Sequence, residues 1–309
     1  PYNDTTKKAK EKAIEYIINF DEIKDRKCNK FVWVGRNTNQ VQGKVTTHFL
    51  QITENQTVFD ITVTCIMDTK WIEIESRPTP VWLFYEIANI VRRFEYLLDG
   101  AFYPIIQCKM DDTEILAEIR SVELGYFQSA NRKRRIPLIL TEKEYQTYFH
   151  RWIVLEGDLG IINQMMLYAG NINGLPVDVR MSMAVECYEA LARKLEKQKL
   201  VTKKTPTTLA NSVMEILDGY GKPVFATEHP KWHSLVPKIV KTRNMIFHVN
   251  SNTNNTLDAS CVGFYAVKLD WLYRYIVWLL LGYDRDLLNQ AVQPEITAFE
   301  SNFPQLIFK

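Results

Sequence analysis

The stretch KTRNMIFHVN, residues 241–250, carries the side chains whose types and spacing are best suited to chemistry. Arg243 is followed directly by Asn244, and four residues separate Arg243 from His248. An imidazole titrates near neutral pH, so it can take a proton from a ribose 2′-hydroxyl or give one to a leaving oxygen. A guanidinium can bind two phosphate oxygens and offset the charge that develops at phosphorus. These groups are sufficient for RNA cleavage by attack of the 2′-oxygen on the adjacent phosphate, without a metal.

Helical geometry decides which of these side chains share a face. Successive residues of an α-helix advance by about 100°, so Asn244 and His248, at positions i and i+4, lie nearly over one another. Lys241 lies one turn before Asn244 and extends the same polar stripe. Arg243 lies about 140° from His248 around the helix axis, so its long side chain must reach round the helix to join them.

The elements that position this stretch are predicted to be helices. From about residue 141 the apolar residues recur with helical spacing, as in DVRMSMAVECYEALARKLEKQ. The segment TPTTLANSVMEILDGYG begins with capping residues and ends in glycine, and SLVPKIVKTRNMIFHVN and LDASCVGFYAVKLDWLYRYIVWLLLGY predict two further helices. We therefore expect an all-α domain over residues 141–309, a bundle of four or five helices.

Residues 1–140 have a different pattern. The segments FVWVG, KVTTHFLQI, TVFDITVTCIM and KWIEIES are rich in β-branched and aromatic residues and are separated by turn signals. One helix is inserted, VWLFYEIANIVRRFEYLLDG, with Gly100 as its expected C-terminal stop. The predicted fold class is α+β, with a mainly β N-terminal domain before the helical one.

Composition argues against a partner bound through the whole surface. The 38 basic and 36 acidic side chains nearly cancel, so a nucleic acid must be met by a local patch. One such patch is the loop NRKRRIP, which can bind RNA phosphates or can simply be solvated. Its basic residues are Arg132, Lys133, Arg134 and Arg135. The most apolar segment, YIVWLLLGY, is too short to span a bilayer, so no membrane partner is expected.

No cofactor or metal is expected. The five cysteines are far apart and form no CxxC pair, which predicts neither a zinc knuckle nor a disulfide framework and favours a reducing cytoplasm. His229 and His233 in EHPKWH have HxxxH spacing. Pro230 between them and the lack of a third ligand make this segment a surface turn instead.

The motif of Arg243, Asn244 and His248 resembles the R-x4-6-H signature of HEPN-superfamily ribonucleases, in which a polar residue follows the arginine at a helix of a four-helix bundle. The layout, with a β-rich N-terminal domain before the bundle, also looks like the ApeA-like anti-phage branch of that superfamily. The motif covers a few residues, whereas the layout covers the whole chain.

The resemblance implies a metal-independent endoribonuclease that acts in abortive infection, with cellular RNA as substrate and tRNA as one candidate. It also implies a homodimer whose two motifs face a shared cleft, and an N-terminal domain that senses a trigger, such as a phage-derived one, or restrains the nuclease. Glu186 matches a polar residue that HEPN bundles keep near the site, where it orients Arg243 or His248, but it can equally be a solvated helix charge.

Two alternatives remain open. A non-catalytic HEPN bundle that binds RNA or a protein would have the same layout, with recognition carried by the N-terminal domain. In the last predicted helix, the aromatic residues Trp271, Tyr275 and Trp278 fit either a plain core or part of a dimer interface.

Overall fold

A computed structural model describes the chain over residues 27–34, 43–54, 57–67, 71–102, 107–110, 113–115, 134–172, 174–202, 208–247 and 254–308. Helices make up most of this part, and strands make up the remainder of its regular structure. The chain divides into two compact units. The first comprises residues 1–94, 102–131 and 139–153, and the second comprises residues 95–101, 132–138 and 154–309.

The first unit contains an antiparallel sheet in the strand order β2-β3-β4-β1-β5-β6. Its strands are β1 (Lys27–Val34), β2 (Gly43–Glu54), β3 (Thr57–Met67), β4 (Trp71–Pro80), β5 (Gln107–Met110) and β6 (Thr113–Ile115). The first four overlap the segments predicted from their β-branched and aromatic residues, which suit a pleated surface. A separate β-rich domain over residues 1–140 stays a prediction, because much of that region lies outside the described residues.

Helix α1 (Val81–Asp99) is the helix predicted after the fourth strand. It ends at Gly100, whose φ of +66° is a left-handed conformation that glycine adopts without steric cost. The Gly100 N–H donates to the Tyr96 carbonyl at 2.8 Å, which closes the last turn. The predicted C-terminal stop is therefore confirmed.

Helix α2 (Glu142–Asn171) begins with a capping box. The Thr141 N–H donates to Glu144 Oε2 at 2.8 Å, and the Glu144 N–H donates to Thr141 Oγ1 at 3.3 Å. The Thr141 hydroxyl also donates to Glu144 Oε2, at 2.7 Å, and this hydrogen bond, followed by that of the Thr141 N–H, lowers the pKa of the Glu144 carboxyl. Gly160 interrupts the helix with a non-helical φ of 17° and ψ of −92°, which marks a kink.

Aromatic residues form part of the core of the first unit. The ring of Phe94 lies 5.1 Å from Tyr145 and 5.3 Å from Phe149, both in edge-to-face contact. The indole N–H of Trp152 donates to the Ile90 carbonyl at 3.0 Å. Buried aromatic surface and a satisfied indole therefore join the helical segments of this unit.

In the second unit, helices pack around α3 (Val177–Lys197), which contacts α4, α5 and α6. These are α4 (Leu209–Ile216), α5 (Trp232–Phe247) and α6 (Ala259–Leu280), followed in the chain by α7 (Arg285–Ser301). The apolar face predicted for α3 is confirmed, since Met181, Ala184, Val185, Tyr188 and Leu191 are all buried. Together with α2, the described residues from 142 onward contain six α-helices. The prediction of four or five helices for this region was therefore wrong. Helix α7 is the one that was not predicted.

The aromatic residues of α6 belong to the core. Trp271, Tyr275 and Trp278 are each no more than 2% exposed. The indole of Trp271 donates to the Arg134 carbonyl at 3.0 Å and that of Trp278 to the Leu97 carbonyl at 3.2 Å. Burial with satisfied N–H groups decides for the core interpretation of these three residues over the interface one.

The domain boundary predicted between residues 140 and 141 stays a prediction. Helices α1 and α2 each have residues in both compact units, so a single cut in the chain does not describe the division. None of the helices within the described ranges combines the length and the apolar character needed to cross a membrane.

Candidate active site

Helix α5 carries most of the residues of the predicted motif. One face of this helix is buried and packs against the bundle. It carries Leu235, Val236 and Ile239. Arg243 and Asn244 follow in its last turns. The described part of the helix extends to Phe247, and His248 is the next residue in the sequence.

Arg243 is held by two acceptors. Its Nη2 forms an ion pair and hydrogen bond with Glu186 Oε2 on α3, and its Nη1 donates to Asn244 Oδ1 at 3.0 Å. Glu186 lies 57 positions from Arg243 in sequence, and the packing of α3 against α5 brings them together. Two roles were open to Glu186, that of a partner of Arg243 and that of a solvated charge. In the structure Glu186 is a partner of Arg243.

The Arg243 side chain stays partly accessible, although its Nε is buried. The Arg243 side chain is 18% exposed and that of Glu186 is 39% exposed. A pair with this exposure stabilises a protein by about 0–1 kcal/mol, because water screens the attraction. A phosphate oxygen can therefore compete for the guanidinium without a large loss of folding free energy, while Glu186 and Asn244 fix its orientation.

His248 follows α5 directly and lies outside the described residues, so its distance from Arg243 is not described. Of the polar stripe predicted for Lys241, Asn244 and His248, the structure describes Lys241 and Asn244. Lys241 is half-buried and Asn244 is exposed, both on α5. The assembly of the full motif stays a prediction.

Thr242 links α5 to the described chain at Leu257. The side chain is buried, donates from Oγ1 to the Lys238 carbonyl at 2.7 Å and accepts from the Leu257 N–H at 2.8 Å. The backbone of Leu257 is therefore held beside a residue adjacent to Arg243. The sequence did not indicate this role, because a threonine within a helix usually bonds only its own preceding turn.

The predicted basic patch is only partly described. Arg132 and Lys133 lie outside the described residues. Arg134 is buried, with Nη1 3.7 Å from Asp270 Oδ2 and Nη2 donating to the Gly170 carbonyl at 3.0 Å. The burial of Arg134 argues against its contact with RNA phosphates, and RNA binding by this loop stays a prediction. Arg135 is exposed and lies 4.0 Å from Asp99 Oδ1.

The HxxxH segment lies at the surface. His229 and His233 are both exposed, and His229 packs its ring edge-on against Trp232 at 4.3 Å. Over the described parts of the chain, no three His, Cys, Asp or Glu side chains come close enough together to hold a metal ion.

Comparison with known proteins adds no family assignment. A scan against protein-family models, a search of curated proteins and a search of solved structures each found no match to this chain. The chemistry of this site must therefore be argued from its own residues.

Proposed function

We propose that the chain is a metal-independent endoribonuclease of the HEPN type, with Arg243, Asn244 and His248 as its motif. The observation that carries the proposal is the fixed guanidinium of Arg243, held by Glu186 and Asn244 yet partly open to solvent. It lies in the last turns of the helix that His248 follows. The spacing of the cysteines favours action in the cytoplasm.

The reaction uses an internal nucleophile. His248 takes the proton of a ribose 2′-hydroxyl, and the 2′-oxygen forms a bond to the adjacent phosphorus. The bond from phosphorus to the 5′-oxygen breaks, and that oxygen receives a proton from a histidinium. Arg243 offsets the negative charge on the phosphate oxygens in the transition state, and Asn244 holds Arg243 in position. The products are a 2′,3′-cyclic phosphate and a 5′-hydroxyl.

Dimerisation is part of the proposal. Since an ideal helix places Arg243 about 140° from His248, the arginine of one protomer can complete the site of its partner across a two-fold axis. Two motifs in one cleft would supply two histidines, one as base and one as acid. Sedimentation or light scattering on the purified chain tests for this dimer.

The biological role proposed by resemblance is abortive infection. Cleavage of cellular RNA, with tRNA as one candidate, would halt an infected cell. The segment before the bundle would sense a phage-derived trigger or restrain the nuclease.

The product ends test the reaction type. Purified protein is incubated with labelled RNA in EDTA, and the fragments are analysed by phosphatase treatment and mass spectrometry. We expect cleavage in EDTA with 2′,3′-cyclic phosphate and 5′-hydroxyl ends. Loss of cleavage in EDTA would indicate a metal nuclease, and 5′-phosphate ends would exclude attack by the 2′-oxygen.

Arg243→Ala tests the electrostatic role. We expect the cleavage rate to fall by about 100- to 1,000-fold, as for the loss of one transition-state donor. Arg193→Ala is the matched control, because Arg193 also pairs with a glutamate of α3, Glu189, on the exposed face. Equal cleavage by the Arg243→Ala variant and the parent would exclude the proposed role.

A second candidate is a non-catalytic bundle that binds RNA or a protein. The observation in its favour is that Arg243 already has a carboxylate partner in Glu186, as a structural arginine would. Expression separates the two candidates, because an unrestrained ribonuclease is toxic to its host and a binding module is not. RNA that is retained intact by the purified protein would support the second candidate.

A further inference from the structure

Helices α2, α3, α6 and α7 of the second unit surround a cavity of about 490 Å³. This volume lies within the range of pockets that hold small molecules. Most of its lining is apolar, including Met166, Ala184, Val267 and Phe299. The cavity is separate from the pair of Arg243 and Glu186, neither of which lines it.

Accessibility changes along the cavity. Val177 and Phe303, both in the lining, are 42% and 39% exposed, so they mark its open end. Arg134 and Asp270, also in the lining, are 8% and 2% exposed, so they lie at its buried end. The cavity therefore has a charged floor, and its exposed lining comprises the apolar side chains of Val177 and Phe303 and the small polar Ser260.

The floor carries one more positive charge than negative charge. Asp270 accepts from Arg274 Nε at 3.1 Å and from the hydroxyl of Tyr96. Arg274 also donates to the carbonyls of Arg134, at 2.6 Å, and of Leu97, at 3.4 Å. Asp270 is hydrogen-bonded to Arg274, whereas Arg134 Nη1, at 3.7 Å from Asp270 Oδ2, forms an ion pair with it that is too long for a hydrogen bond.

Arg134 has a donor without an acceptor. Its Nη2 donates to the Gly170 carbonyl, whereas its Nε is buried and has no hydrogen-bond partner in the described part of the chain. Native proteins rarely leave a buried N–H unsatisfied, and such a group calls for a specific explanation. A ligand oxygen at the floor of the cavity provides one.

Arg180, a third arginine in the lining, is bound to the end of α2. Its Nε donates to the Leu175 carbonyl at 2.9 Å and its Nη1 to the Gly170 carbonyl at 3.2 Å, while Nη2 donates to Ile172. The negative end of the α2 dipole offsets this charge. Asp270, the carboxylate in the lining, is shared by Arg134 and Arg274, so these two arginines keep one positive charge in excess, which matches one negative charge.

We propose that this cavity binds a small monocarboxylate with an apolar body, such as a medium-chain or aryl carboxylate. The carboxylate accepts from Arg134 Nε in a charge-assisted hydrogen bond, and the apolar body lies along the lining towards Val177 and Phe303. A phosphate monoester is a poorer match, because its second negative charge would be buried without a partner. The proposal does not depend on the ribonuclease activity.

Calorimetry with decanoate and 1-decanol tests the proposal, since the two differ in the carboxylate and share the apolar chain. We expect saturable binding of decanoate at one molecule per chain and at least about tenfold weaker binding of decanol. Equal affinity for the two, or no binding of decanoate, would overturn the proposal.

Two substitutions locate the binding. Ala266→Phe fills the cavity and leaves the charged floor intact, so it should abolish binding of both probes. Arg134→Met should weaken decanoate about tenfold or more and leave decanol unchanged. Circular dichroism checks that each variant is folded, and if Arg134→Met does not fold, Ala266→Phe decides alone. Unchanged decanoate binding in a folded Ala266→Phe variant would exclude the cavity, and Arg193→Met is the control for an exposed arginine.

Discussion

Two ionic groups of the second unit differ in their access to solvent. Lys268 on α6 donates to Glu228 Oε2 at 2.5 Å and to Glu300 Oε1 at 2.6 Å, with side-chain exposures of 0%, 0% and 12% for the three residues. Arg243 and Glu186 also form a close pair, but their side chains are 18% and 39% exposed. Residue types alone would not distinguish them.

The difference indicates where a ligand can bind. The ammonium of Lys268 is enclosed by its carboxylates and by the ring of Phe225, whose centroid is 4.7 Å away, so no phosphate can reach it. The guanidinium of Arg243 is oriented but accessible. The buried group therefore contributes to stability, and the accessible pair is the one at which the proposed function places chemistry.

The largest effect on stability is expected for Lys268→Met. Removing one partner of a buried ion pair leaves a buried charge uncompensated, which costs about 3–5 kcal/mol in the free energy of unfolding. Urea denaturation measures the change. Lys194→Met is the control, because Lys194 pairs with Asp158 at 2.9 Å at the surface and should change stability by about 1 kcal/mol or less. Equal losses in both variants would remove the distinction between buried and accessible pairs.

A smaller loss is expected for Gly100→Ala, beside the buried cluster of Arg134, Asp270 and Arg274. The φ of +66° strains any L-residue, and an added Cβ would lie 2.8 Å from Arg274 Nη2 and 2.9 Å from Arg134 Cβ. We expect a loss of about 1–3 kcal/mol in the free energy of unfolding.

Gly157→Ala on α2 is the control for Gly100→Ala, because the same substitution is made at a site where it should not destabilise the protein. An added Cβ at Gly157 meets no atom within 4 Å, so the gain in helix propensity should leave stability equal or higher. Thermal unfolding compares the two variants. A Gly100→Ala variant as stable as the parent would show that the cluster adapts and is not rigidly packed.

The smallest effect concerns Cys187, which follows Glu186 on α3 but lies in the core. Burial, with a further contribution from Glu186, raises the pKa of its thiol to about 12. The folded state therefore holds the thiol proton more tightly than the unfolded state, whose thiol pKa is about 8.5. The stability that this adds is complete below the unfolded pKa and is lost as pH rises towards the folded one.

The pH dependence of unfolding checks this. Relative to Cys187→Ala, the parent should lose about 1.4 kcal/mol per pH unit between about pH 9 and pH 11. Urea denaturation of both proteins at several pH values isolates the slope, because the other titrating groups are common to both. Parallel curves would mean that the Cys187 thiol is open to solvent, as the side chain of its neighbour Glu186 is.

Local signals predicted much of the helical structure. The stop at Gly100 and the apolar face of α3 depend on neighbours within one or two turns, so the sequence was sufficient for both. Helix α7 was not predicted, because Pro294 lies within it and indicates a helix end. Its start depends on the Asp284 side chain, which accepts from the Asp286 and Leu287 N–H groups.

Long-range contacts explain what the sequence did not predict about the sites. Arg134 looks like a member of a surface patch in NRKRRIP, yet its carboxylate neighbour is Asp270, 136 positions later. The tie from Leu257 back to Thr242 and the cavity between α2, α3, α6 and α7 likewise depend on tertiary packing. The partnership of Glu186 with Arg243 was one of two open alternatives, and only packing could decide it.

The most direct test of the central claim is the single-turnover rate of RNA cleavage by His248→Ala in EDTA. His233→Ala, which removes an exposed histidine from helix α5, is the matched control, and thermal unfolding confirms that both variants are folded. We predict that His248→Ala cleaves RNA about 100- to 10,000-fold more slowly than the parent, as expected for the loss of a general base, while His233→Ala cleaves at the parent rate. Cleavage by a folded His248→Ala variant at the parent rate would contradict the account.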